Sequence, residues 1–491
     1  MKHNLMRLSQ PIAKVMTCTV LIAATVMAGA PLAQAANGDG QLDTTFGFSG
    51  LTAVWFDRSG DDYDDGRAVA VQADGKIVVA GTISYDNGVS GTKAIGVARL
   101  LPDGTGLDTT FGSAGEQVLS GPQSYPQHVT GIALQADGKI LLCGWIDTPQ
   151  QYKAMLAYRL DADGTPDASF GTAGRVTLIL GTVATEQVLQ VLALQSDGKI
   201  VGAGWIGGSI SNDFLVIRLN TDGSLDTSFN SLGANTFGFN AGNGNDDRAY
   251  ALAIDRAGNI LLAGSATTSD GYHFTEFAAA RFNKAGVVDT PFGSNGGVLV
   301  PVGSMDAEAH AVAVSYVGLQ PLYTLAGFAR VNVPDDFDFA AAQLDTYGTV
   351  TSGFGANSYA IDLNGTGADY GTAIIAENNT LFNSRPTRYT IGGYAFNSAT
   401  GNYDFAALRV LANGAPDPTF GPDNNGRVSV AFDLDAAPST HDDFGHAMAL
   451  QGHRVIIAGT VGRQGHNGAD ADFGVTRLTT EVIFENGFKM P

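Results

Sequence analysis

Short runs of alternating apolar and polar residues, each ending at a turn signal, fill the chain from about residue 50 onward. Residues Gly50 to Phe56 and Arg67 to Gln72 show the period-two pattern of strands, as do Val69-Ala70-Val71 and Leu192-Ala193-Leu194. Apolar side chains fall on both parities, as expected of strands covered on both faces. An Asp-Gly step follows the second run and predicts a two-residue hairpin turn. A third run, Lys76 to Gly81, is rich in Ile and Val. A fourth, Ala94 to Leu101, ends in Arg-Leu. No long apolar period of 3.6 residues interrupts these runs, so the pattern predicts an all-β protein.

The pattern returns seven times. Leu42-Asp43-Thr44-Thr45-Phe46-Gly47 recurs at Leu107–Gly112, Pro166–Gly171, Leu225–Asn230, Val288–Gly293, Thr351–Gly355 (worn) and Pro416–Gly421. The aromatic member is Phe46, Phe111, Phe170, Phe229, Phe292, Phe354 and Phe420. Between these lies Val71–Gly81, with copies at Leu134–Gly144, Leu194–Gly204 and Ile254–Gly264 and looser ones ending at Gly327, Gly393 and Gly459. The Arg-Leu phrase completes each unit. A four-stranded antiparallel meander of about 60 residues, repeated, is the sequence form of a β-propeller. The expectation is a single seven-bladed propeller over residues 36–491, with repeat units of approximately 46–110, 111–169, 170–228, 229–291, 292–353, 354–419 and 420–488.

The joined pattern of DGKI, AG, RL and LDxxFG resembles the delta-60 repeat family of bacterial exported proteins. That resemblance covers nearly all of the chain after its leader. It implies a β-propeller-like scaffold and brings no reaction or ligand with it.

The first residues read differently. Lys2, Arg7 and Lys14 precede an apolar stretch from Val15 to Ala30 and a small-residue cleavage site, Ala33-Gln34-Ala35. This order predicts a signal peptide over residues 1–35, export to the periplasm or beyond the cell, and no membrane span after cleavage. Loss of the leader removes Cys18 and leaves Cys143 alone, so no intramolecular disulfide is expected. It also leaves a net charge of −24. Such a field repels nucleic acid and anionic membranes.

Charged residues recur in register. Arg159 and Asp167, Arg218 and Asp226, Arg281 and Asp289, and Arg409 and Asp417 are each eight residues apart. Arg99 and Asp108 are nine apart, with Gly106 as the extra residue. The fifth unit has Gln343 and Thr351 instead, so both charges vanish together. The pattern predicts bidentate Arg–Asp pairs at the crossing between blades. Eight residues beyond Arg477 lies Glu485, followed by Phe488, while Asp43 at the other end has no preceding Arg. Both chain ends thus carry the same corner, which predicts a ring closed by the two ends and leaves open whether Asp43 or Glu485 faces Arg477.

Candidate binding residues gather where the second and fourth strands begin: Asp64, Asp65, Asp213, Asp246, Asp247, Asp338, Asp369, Asp404, Asp442, Asp443 and Asp472. The loops there vary in length, and variable loops on a rigid scaffold commonly carry binding. Tyr63, Tyr85, Tyr272 and Tyr403 lie among the acids. The expected function is a non-enzymatic scaffold that binds a protein or glycan partner on this acidic face. The alternatives are a propeller hydrolase or lyase using channel carboxylates and a cell-surface adhesion module. No catalytic residue and no metal ligand is assigned. Calcium is a possible cation at the acidic face. The string Asp161-x-Asp163-Gly-x-x-Asp167 has calcium-like spacing without the further oxygens such a loop needs.

Overall fold

The computed structural model describes residues 39–480 except 57–62, 85–91, 122–124, 151, 182–185, 209–210, 240–244, 269–274, 304, 333–335, 362, 364–366, 379–385, 433–440 and 464–469. Residues 1–35, where a signal peptide is expected, and Tyr85, Tyr272, Glu485 and Phe488 lie outside the described residues. Every regular element among the described residues is a β-strand. No helix among them is long and apolar enough to cross a membrane.

The first sheet pairs Asp65–Val71, Ile77–Ser84, Lys93–Leu100 and Glu116–Leu119 in that order, all antiparallel. The same four-strand order recurs along the chain. Two such groups, Glu186–Phe237 and Asn245–Val300, are joined by a short parallel pairing of Ser211 and Asn212 with Asn245 and Asp246. Each sheet draws its outer strand from the following repeat unit, so sheets and sequence units run out of step. The LDxxFG corner is the cause. The amide of Asp108 donates to the Arg99 carbonyl at 2.7 Å and turns the chain back, which lays Glu116–Leu119 beside Lys93–Leu100. The last sheet takes its outer strand from the other end of the chain, Leu51–Val54 on Asp470–Leu478.

Neighbouring sheets share hydrophobic clusters. Val78, Ala80 and Val97 of the first sheet pack with Ile140 and Leu142 of the next. Phe277 and Leu261 pack with Tyr323 and Leu325. Ile456, Val475 and Phe46 pack with Ile77 and Val79. Small residues in the middle of the third strands, Ala80, Cys143, Ala203, Ala263, Ala326 and Ala458, permit this close approach. Cys143 is buried in that series, and burial pushes its thiol up to about 12, which leaves it an inert packing group.

Candidate functional site

Two sets of polar residues stand out, one at each end of the sheets. The corner set is built on the recurring Arg and Asp. Nε of Arg159, Arg218, Arg281 and Arg409 donates to Oδ2 of Asp167, Asp226, Asp289 and Asp417 at 2.6–2.8 Å. Arg99 reaches Asp108 through Nη2 at 2.8 Å. Arg477 pairs with Asp43 at 2.8 Å, so the N-terminal copy occupies that corner.

The expected bidentate geometry is not seen. Except at Asp289, where Pro291 stands two residues on, the second carboxylate oxygen turns away from the arginine to accept the amide and hydroxyl of that position, as Asp167 does from Ser169 at 2.9 and 2.7 Å. The spare guanidinium nitrogen instead crosses to the next sheet. Arg218 Nη1 donates to the Lys284 carbonyl at 2.8 Å and Arg281 Nη1 to that of Thr346 at 2.7 Å. The guanidinium lies over the corner phenylalanine, with Arg218 4.7 Å from the Phe229 ring. A glycine of the next turn closes the far side of the ring. At Gly164 (φ +89°), a Cβ would sit 2.7 Å from the Phe111 ring, so no side chain fits.

A second cation, missed in the sequence, shares the aspartate. Lys76, Lys139 and Lys199 of the DGK turns reach Asp108, Asp167 and Asp226 at 3.0, 2.9 and 2.6 Å. Arg454 does the same for Asp43 at 3.1 Å. Burial opposes charge on Asp226, but Lys199, Ser228 and Arg218 outweigh it and hold its carboxyl well below the usual range. Asp163 of the calcium-like string is occupied by the amide and hydroxyl of Thr165. Among the described residues no group of His, Cys, Asp or Glu forms a cluster that would hold a metal.

At the opposite end the predicted acids divide. Asp64, Asp247, Asp369 and Asp443 are buried. Each accepts a backbone amide from the end of a neighbouring outer strand: Phe56 at 3.0, Phe239 at 2.7, Ile361 at 2.6 and Phe432 at 2.8 Å. These four are straps between sheets. Asp246 accepts from Asn212 at 2.7 Å and pairs with Arg248 at 3.0 Å. Asp404 accepts from Asn397 at 3.0 Å and Asp442 from the Tyr403 amide at 3.0 Å. Asp472 meets Arg463 at 3.2 Å. Asp338 is buried and Asp213 half-buried.

Only Asp65 of these acids lines the cavity that opens at this end, a space of about 620 Å³. Its wall comes from the first strand of each sheet, which is the second strand of each repeat unit, and each of these strands carries a β-bulge. The slips fall between Gly66 and Ala68, Val129 and Gly131, Leu189 and Val191, Ala249 and Ala251, Ala309 and Ala311, Gly371 and Ala373, and Gly445 and Ala447. The extra residues are Arg67, Thr130, Gln190, Tyr250, His310, Thr372 and His446, and all of them line the cavity. A bulge re-aims a side chain without breaking the ladder around it. Trp145, Trp205 and His128 complete the aromatic part of the wall. Tyr250 stacks on His310 at 4.3 Å and His128 on Trp145 at 4.6 Å. Burial pushes His446 down to about 3 and also lowers His128, so both rings are neutral near pH 7.

The bulge residues escaped the sequence reading because period-two alternation treats each strand as unbroken. Their signal was a column of changing polar residues set directly before a constant apolar phrase, as in Gln190 before Val191-Leu192-Ala193-Leu194 and His310 before Ala311-Val312-Ala313-Val314.

Residues 72–111, 135–170, 195–229 and 388–420 match the model of a family described as a domain of unknown function (DUF5122) β-propeller. The four matched segments are similar to that β-propeller repeat family. No curated protein matches it. Among solved structures, it is similar to a protein of unknown function from Dyadobacter fermentans, with 11% identity, 88% of this chain and 98% of that one covered, and a TM-score of 0.43. Polysaccharide lyase Uly1 shows 9% identity over 84% of this chain and 90% of the lyase, with a TM-score of 0.43. Drosophila Plexin A, solved with Semaphorin 1b, shows 8% identity over 88% of each chain, with a TM-score of 0.37.

Proposed function

We propose that this delta-60-type repeat protein is a seven-bladed propeller closed into a ring by its two ends, exported with residues 1–35 removed. It acts in the periplasm or outside the cell as a non-enzymatic binding scaffold. Closure is supported by Leu51–Val54 lying on Asp470–Leu478, by Asp43 at the Arg477 corner, and by the cluster that joins the last sheet to the first.

The ligand enters the cavity on the variable-loop face. One observation carries this reading: a bulge in the second strand of each repeat unit aims a polar residue, drawn from five types over the seven positions, into a single space. The strapped acids around it frame the opening, and most are engaged with backbone or cationic partners. The raised carboxyl of Asp247, at about 6 through burial and the nearby charges of Asp213 and Asp246, belongs to such a strap. It therefore favours the scaffold over a hydrolase or lyase.

Gln190→Trp places an indole in the cavity and tests the reading. In thermal-shift measurements across sugars, amino acids, nucleotides and carboxylates, a true ligand raises the melting temperature of the native protein and not that of the blocked variant. A ligand that raises both equally binds elsewhere and overturns the reading.

A further inference from the structure

We propose, resting on the cavity reading above, that the ligand is the end of an uncharged oligosaccharide, held against Trp145 and Trp205 and hydrogen-bonded by Gln190 and the Trp205 indole.

The two indoles sit at matching positions of adjacent sheets, directly after Gly144 and Gly204, and both line the cavity. His128 backs Trp145 at an interplanar angle of 14°. Tyr250 meets Trp205 edge-on at 5.9 Å. Gln190 is the bulge residue of the strand paired with Trp205, and its amide makes no hydrogen bond among the described residues. Trp205 is 8% exposed, and its indole N–H is buried without an acceptor among the described residues. A buried donor of this kind seeks a partner, and a ligand hydroxyl supplies one. The partly exposed ring of Trp145, beside the unspent Gln190 amide and Trp205 N–H, suits a sugar, whose ring has an apolar C–H face and a hydroxylated rim.

Charge narrows the class. Asp65 is the only carboxylate lining the cavity among the described residues, and it is paired with Arg67 at 2.7 Å. His128 and His446 are neutral. A charged ligand would therefore meet no unpaired counter-charge, and the protein's negative field repels anions. About 620 Å³ falls within the ~300–1,000 Å³ of small-molecule sites.

Tryptophan emission reports on the site, because two of the three tryptophans line the cavity. Trp55→Phe removes the third, which lies 53% exposed elsewhere. The probes are cellohexaose, xylohexaose, mannohexaose, chitohexaose and maltoheptaose at millimolar concentration. A saturable change in emission with one of them is expected. Gln190→Ala and Trp205→Phe should each weaken it about tenfold with little change in melting temperature. If no probe saturates, or if saturation is unaltered in both variants, the proposal is overturned. A charged sugar or an amino acid that stabilises the native protein but not Gln190→Trp also overturns it, while leaving the cavity reading intact.

Discussion

The two ends of the sheets use polar residues in opposite ways. At the corner end each aspartate holds a fixed cation, and all but Asp289, which is followed by Pro291, also hold a backbone amide and a hydroxyl. At the cavity end the backbone bulge repeats, but the residue on it changes from Arg67 to Thr130, Gln190, Tyr250, His310, Thr372 and His446. The first end repeats its chemistry as well as its geometry. The second is where identity is free to vary. The contrast teaches that repetition of charge marks structure in this fold, and repetition of geometry with changing chemistry marks a site.

The sharpest way to break that contrast lies where the N-terminal Asp39 meets Arg388 and Arg409. Asp39 is buried between Arg388, at 3.0 Å, and Arg409, a fully buried guanidinium that also holds Asp417 at 2.8 Å. Asp39 stands where other corners receive a backbone carbonyl from the next turn. Asp39→Ala should cost about 3–5 kcal/mol, read as a shift in urea midpoint, because it removes a carboxylate shared by two buried cations and leaves Arg388 with Glu377 and Arg409 with Asp417. Gln190→Ala at the other end should stay within about 0.5 kcal/mol. Comparable losses at the two sites would dissolve the distinction drawn here.

A smaller effect tests whether the corner acts as a unit. Arg218→Ala should cost about 2–3 kcal/mol, less than Asp39→Ala because Lys199 remains 2.6 Å from Asp226. Asp226→Ala should cost a similar amount, and the double variant little more than either. Additive losses in urea unfolding would reject the pairing. The fifth corner already shows the exchange. Gln343 accepts from Thr351 at 3.1 Å and donates to the buried Tyr389 hydroxyl at 2.9 Å, a neutral substitute for the ion pair.

Much of this was legible in the chain. The hairpins, the all-β class and the spacing of Arg to Asp follow from local chemistry, because turns and short strands are specified by neighbours in sequence. The DGK lysine recurred at fixed position beside the turn, yet its reach to Asp108 or Asp167 depends on how two strands lie together. The offset of sheets from repeat units depends on the corner hydrogen bond from Asp108 to Arg99. The cavity depends on bulges, which shift register by one residue without altering the apolar phrase around them. The acids before the second strands were visible as a cluster. Whether Asp64 faced water or the Phe56 amide was decided only by the packing of one sheet against the next.

The gentlest test uses pH, since Asp226 and Asp247, one at each end, are shifted in opposite directions. Asp226 has a folded pKa below its ordinary value, so its contribution is present above about pH 4 and is lost as pH falls further. Asp247 is raised to about 6. For a raised carboxylate the native state binds the proton more tightly than the unfolded chain. Its stabilising contribution is therefore full below about pH 4 and is lost as pH climbs through about 6. Asp247→Asn keeps an oxygen for the Phe239 amide and removes the titration. Urea midpoints measured from pH 4 to 7 should then change less in the variant, with about 1–2 kcal/mol of the native protein's decline over that window abolished after allowance for solvent screening. Asp226→Asn should leave that window alone and flatten the acid limb beneath it. If Asp247→Asn instead follows the native curve throughout, the strap aspartates titrate like the corner ones, and the electrical difference between the two ends disappears.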